Sequence, residues 1–225
     1  MSKATRIGRL LMAALLGGAT LLGMQAAWAH DAHHHAGPAD AKPKAARVTL
    51  HDNQLVDLDR NPVRFTSEAV GNSIVVIDFI YTSCTTICPV TSAVFADVQK
   101  RLIDKFGEQF GRDVKLITLT VDPSTDTPKR LKDYAGHFGS PAGWLWLTGD
   151  KPQVDKVLSG LGAYAADFTR HSGAVLVGDG RADDWIRFYG VPNPPDIVAR
   201  VEQLVAARQP ASLTAGDEAG VIGRR

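Results

Sequence analysis

Cys84 and Cys88 are the only two cysteines of the 225-residue chain. They lie four apart in YTSCTTICPV, residues 81–90, and Pro89 follows at once. An apolar run, IVVIDFIY at 74–81, leads in, and a helical pattern leads out. A thiol where a strand turns into a helix is reactive, because the first-turn amides favour thiolate over thiol. Residues four apart on a helix have Cβ atoms about 5–6 Å apart. That spacing lets two sulfurs converge on one ion and, with modest adjustment, form a disulfide. The pair can exchange electrons, hold a soft metal, or do both. A purely structural bridge is the weaker reading, since so short a loop constrains the unfolded chain little.

The surrounding elements decide what else reaches this point. Residues 48–65 read as a β-hairpin, with LVDL and VRF flanking the turn formers Asp59, Asn61 and Pro62. The run at 74–81 is a strand buried on both faces, as in a parallel sheet. Beyond Cys88, Val94, Phe95, Val98, Leu102 and Phe106 recur at helical spacing up to Gly107. A second strand follows at 114–121, then a helix opened by Pro128 that is expected to stop near Gly139. A third strand at 144–148 precedes a helix marked by Val154, Val157, Leu158 and Leu161. A second hairpin joins 174–177 to 185–189, and a last helix spans about 195–207. Three strand–helix units followed by a hairpin and a helix predict an α/β, thioredoxin-like three-layer sandwich. Its sheet is mixed, and an N-terminal β-hairpin is added.

Strand direction then brings distant residues together. Ligands of open α/β sheets sit beyond the carboxyl ends of the parallel strands. The first such strand delivers Cys84 and Cys88 to that edge, and the second delivers the loop VDPSTDTP. A late antiparallel strand starts at the same edge, and the residue entering it is His171, in TRHSGAVLV. Two thiolates and one imidazole make a soft, low-coordinate site that favours Cu(I), with zinc as the main competitor. A structural zinc normally takes a fourth ligand, and no third cysteine exists. Asp122 and Asp126 either form a turn and cap the helix that Pro128 starts, or support the site from outside. His51 and His137 have no evident partner. Trp144 and Trp146 read as packing, and Phe79 and Tyr81 as core and wall.

The N-terminus reads as an export signal, residues 1–29. Lys3, Arg6 and Arg9 precede an apolar stretch, and Ala27-Trp28-Ala29 gives an A-x-A cleavage pattern. The rival is a retained anchor, since residues 10–29 are nearly long enough to span a bilayer. Either way the domain is expected outside the cytoplasm, periplasmic or held at the inner membrane, where a disulfide persists. Residues 30–46 then form a flexible leader. Its tract of His30, Asp31, His33, His34 and His35 is a solvated tail or a loose metal-collecting segment. The domain proper is expected over 47–208, with a loose tail at 209–225. A net charge of +1 and the lack of a basic cluster exclude a nucleic-acid partner.

Together, Cys84-x-x-x-Cys88-Pro89 after the strand, the segment DPSTDTP and His171 opening a late strand resemble the Sco/SenC copper chaperones. The likeness spans about 48–207. It implies copper, as Cu(I) or Cu(II), held by Cys84, Cys88 and His171, and a pair that cycles between dithiol and disulfide. It also implies a copper-accepting partner, a cytochrome c oxidase subunit whose dinuclear copper centre is being assembled, and a periplasmic copper donor or thiol reductant. The chain departs from the family pattern at Arg170, where an acidic residue often precedes the histidine. A first rival is a thiol–disulfide oxidoreductase that keeps the acceptor's cysteines reduced, although such thioredoxins use two intervening residues rather than three. A peroxiredoxin-like peroxidase is the second, and it fits poorly because its motif needs proline where Tyr81 stands.

Overall fold

The structure is a computed structural model, and it describes residues 43–139, 143–171 and 173–209. The expected signal at 1–29, most of the leader and nearly all of the tail lie outside the described residues. Among those described, no helix is long and apolar enough to cross a membrane.

The strands are β1 (Lys44–Ala45), β2 (Gln54–Val56), β3 (Pro62–Arg64), β4 (Ile74–Ile80), β5 (Val114–Thr120), β6 (Trp144–Leu147), β7 (Ala174–Asp179) and β8 (Trp185–Tyr189). The α-helices are α1 (Ile87–Phe106), α2 (Pro128–Ala135), α3 (Lys151–Gly160) and α4 (Pro194–Arg208). Six strands form one sheet in the order β1-β8-β7-β4-β5-β6, while β2 and β3 pair as a separate hairpin. β4, β5 and β6 are parallel, and β7 runs antiparallel to β4 with Ile77 opposite Leu176. The expected mixed sheet and added hairpin are both present.

All seven residues of β4 are buried, because the strand is central and covered on both faces. Side-chain alternation sends Ile74, Val76 and Ile80 to one face and Val75, Ile77 and Phe79 to the other. The first face packs against α1, α2 and α4 through Phe95, Val98, Leu131, Ile197 and Val201, and both cysteines belong to this cluster. The second packs against α3 and the hairpin through Leu55, Val154, Val157 and Leu158. Trp144 and Trp146 stack at 4.8 Å between ring centroids.

Three local expectations are corrected. Lys44–Ala45, placed in the leader by composition, adds an edge strand to β8 because backbone pairing asks little of side chains. α2 ends at Ala135 rather than near Gly139. Its last turn tightens instead into i→i+3 bonds, Tyr134 carbonyl to His137 and Ala135 carbonyl to Phe138, ahead of Gly139 at φ +66°. Neither Asp122 nor Asp126 caps α2; the Thr127 hydroxyl does so, accepting from the Arg130 amide at 3.3 Å. A six-residue π-type turn, Phe65–Val70, also links the hairpin to β4 and had no sequence signal.

Candidate metal centre

The cysteines sit where β4 hands over to α1, but only one of them is helical. Cys88 is the second residue of α1, whereas Cys84 lies in the loop before it. The expectation of two sulfurs on one helical face is therefore modified: the loop folds back to bring them together. The Cys84 amide bonds the Tyr81 carbonyl at 3.1 Å, closing a turn. The Cys84 sulfur then accepts the Cys88 amide at 3.4 Å, with the Thr86 hydroxyl at 3.8 Å. Thr86, the N-cap residue, makes no side-chain cap bond. The sulfur thus takes over part of the capping of α1, whose first amides lack helical partners. Pro89 has no amide to satisfy and suits the first turn.

Both thiols are free and buried, 5% and 2% exposed. Their protonation is pushed apart. Burial favours the neutral form of each, but at Cys84 it is outweighed by the Cys88 thiol and the amides of Cys88 and Thr86, which lower the group to about 6. Cys88 is raised to about 12 by burial first and then by donating to Cys84. Cys84 is therefore the readier thiolate of the pair, and Cys88 the one that keeps its proton. The Tyr81 hydroxyl, raised to about 12, donates toward the same sulfur and is further held by its burial.

His171 stands in the same corner, across Tyr81. Its ring meets the Tyr81 ring edge-on at 5.8 Å between centroids, and Phe168 packs on Tyr81 at 5.1 Å. Nδ1 lies 2.7 Å from the Phe168 carbonyl and Nε2 lies 3.3 Å from the Phe79 carbonyl. The shorter contact, from Nδ1 to Phe168, is the hydrogen bond that fixes the ring, and Nε2 is the nitrogen left to a metal once it leaves the Phe79 carbonyl, as metal-bound histidines donate through their other ring N–H. Among the described residues, no three His, Cys, Asp or Glu side chains are already gathered as a metal cage. The strand order brings His171 to the edge where β4 ends, with its Nε2 near the Phe79 carbonyl.

Asp122 and Asp126 play different parts. Asp122 builds the turn through its carbonyl, which accepts the amides of Thr125 and Asp126. Asp126 is fully buried, and its carboxylate accepts the Thr82 amide and the hydroxyls of Thr82 and Thr120. Burial raises its carboxyl above the usual range despite these donors.

Sequence reasoning passed over Asp78, the one charged residue in the β4 run. It is fully buried on the cysteine face, accepts the Thr118 hydroxyl at 2.5 Å, and leaves Oδ2 without a partner. Burial pushes its carboxyl up to about 7. A lone aspartate in an apolar strand was the available signal. The expectation that Trp144 is packing alone is also incomplete, since its indole N–H donates to that Thr118 hydroxyl at 2.8 Å.

The model of the SCO1/SenC family matches residues 43–204. The chain belongs to the SCO1/SenC family. The SCO1 protein homolog of Bacillus subtilis is 39% identical over 83 residues, covering 36% of this chain and 40% of that protein. The chain spans about half the length of the curated relatives it matches. Among solved structures, BsSco, described as a member of the Sco family of cytochrome c oxidase assembly proteins, superposes with a TM-score of 0.59 at 24% identity. That match covers 73% of this chain and 98% of BsSco. Yeast Sco1 with copper bound superposes with a TM-score of 0.59 at 20% identity, over 74% and 98% of the two chains. These superpositions establish the thioredoxin-like fold of the SCO1/SenC domain.

Proposed function

We propose that this chain binds copper and passes it by ligand exchange to an acceptor outside the cytoplasm, in assembly of the dinuclear copper centre of cytochrome c oxidase. Copper is cargo, held by Cys84, Cys88 and His171. One observation carries the reading: the Cys84 sulfur is held on the Cys88 amide at 3.4 Å in a buried corner that the His171 ring shares across Tyr81. The Cys84 thiolate engages the ion first. The ion's charge then displaces the Cys88 proton, which Cys88 alone holds tightly. His171 turns Nε2 from the Phe79 carbonyl toward the sulfurs, with its bond to Phe168 retained as the pivot. Soft thiolates favour Cu(I), and the imidazole matters most for Cu(II). Family membership and the copper-bound yeast relative support the choice of metal.

The test is copper titration of the reduced chain beside a sample alkylated at both cysteines. One copper per chain that is lost on alkylation is expected. Equal uptake by the two samples refutes the sulfur site, and a tract such as His30 to His35 would then be the binder.

A second reading is favoured by the protonation asymmetry. A thiolate at about 6 beside a thiol at about 12 is also the arrangement of an attacking and a resolving cysteine. A thiol–disulfide oxidoreductase would keep the acceptor's copper-ligand cysteines reduced. Catalytic reduction of a protein disulfide by the metal-free chain, with no stoichiometric copper uptake, would favour it over delivery.

A further inference from the structure

The loop that carries Cys84 has no regular structure from Tyr81 to Thr86, yet its sulfur must be held against the first amides of α1. What ties it down comes from 44 residues away. The Thr82 amide donates to both Asp126 carboxylate oxygens, at 3.2 and 3.1 Å, and the Thr82 hydroxyl donates to one of them at 2.5 Å. The other oxygen also accepts the Thr120 hydroxyl, on the last residue of β5, at 2.6 Å. The Asp126 backbone is fixed in turn: its amide bonds the Asp122 carbonyl, and its carbonyl accepts the Thr148 hydroxyl at 2.8 Å. Asp126 is 0% exposed, so these bonds form away from competing water.

We infer that Asp126 is a positioning residue for the cysteine pair, acting through Thr82 to hold Cys84 against the N-terminus of α1. The inference rests on the reading of Cys84 and Cys88 as the working site. Its energetic consequence falls on one redox state. In the disulfide, the covalent bond to Cys88 already fixes Cys84. In the dithiol, only the loop's own bonds do so, and there the Thr82–Asp126 clamp keeps the sulfur on its amide donors. Losing the clamp therefore costs the reduced form more than the oxidised one.

The test is the equilibrium of the metal-free chain with glutathione, in which two glutathione thiols reduce the protein disulfide to the dithiol and leave as one glutathione disulfide. Thr82→Ala and Asp126→Asn are expected to lower the constant for reduction about fivefold, the worth of one net hydrogen bond. That equals a potential about 20 mV more negative. Thr82→Ser keeps the hydroxyl and is expected to match wild type. Thr148→Val removes the hydroxyl that holds the Asp126 carbonyl, so it should lower the constant in the same direction but by less than Thr82→Ala. Should Asp126→Asn fail to fold, the Thr82→Ala and Thr82→Ser pair decides alone. The inference is overturned if Thr82→Ala folds and keeps the wild-type constant, or if Thr148→Val shifts it equally. It is also overturned if wild type forms no internal disulfide. Copper uptake by that wild-type sample judges the proposed function separately.

Discussion

Removing Cys88 should make Cys84 a measurably poorer thiolate. The Cys88 thiol is the foremost partner holding Cys84 down at about 6, ahead of the amides of Cys88 and Thr86. Cys88→Ala deletes that donor and leaves both amides and the α1 N-terminus in place. Hydrogen bonds to a charged group contribute about 1.5–3 kcal/mol, and a weak S–H donor belongs at the low end. The Cys84 group should therefore rise by about one unit, since one unit is ~1.4 kcal/mol. At pH 6.5 the thiolate fraction then falls from about three quarters to about one quarter. The assay is the rate of iodoacetamide alkylation against pH, followed by intact mass. Wild type should take up a single label with a midpoint near 6, because Cys88, at about 12, stays silent below pH 10. The variant's rate at pH 6.5 should be about threefold lower, with the two curves converging at high pH. A wild-type midpoint at the ordinary thiol value near 9, or superimposable profiles, would refute this description of the pair.

Two more outcomes follow from the same geometry. Asp78 binds its proton more tightly folded than unfolded, so its stabilisation is complete below its unfolded value of 3.8 and is lost as pH rises through about 7. Asp78→Asn should remove that fall: it should gain ~2–4 kcal/mol over wild type at pH 7.5 and little at pH 4, measured by urea unfolding of the reduced, metal-free chain. Equal pH slopes for the two proteins would contradict this. His171→Ala should weaken Cu(II) binding while leaving dithiol oxidation by glutathione disulfide intact, and equal Cu(II) affinity by competition titration would remove His171 from the site.

The topology was legible because its signals are local and strong. The apolar run at 74–81, broken only by Asp78, marked a central strand, the Pro128 signal marked a helix start, and Asp179-Gly180 marked the second hairpin. Strand direction was then enough to bring His171 to the edge occupied by the cysteines. What the sequence did not carry is how side chains are spent once there. Thr127, Asp126 and Asp122 are all plausible caps by type, and only the fold decides that Thr127 takes the Arg130 amide while Asp126 reaches back to Thr82. The orientation of the His171 ring depends on the Phe168 and Phe79 carbonyls, which are 3 and 92 residues away. Edge strand β1 was hidden for a different reason: Lys44 and Ala45 join through backbone bonds, which have no hydrophobic signature.

Cys84, Cys88 and His171 are proposed to hold one copper ion between them. X-ray absorption at the copper edge, on the reduced chain loaded with one equivalent, reads the ligands directly. Two sulfurs and one nitrogen per copper, with the nitrogen lost in His171→Ala, is the result expected. Sulfur-only copper bridging several chains would contradict it.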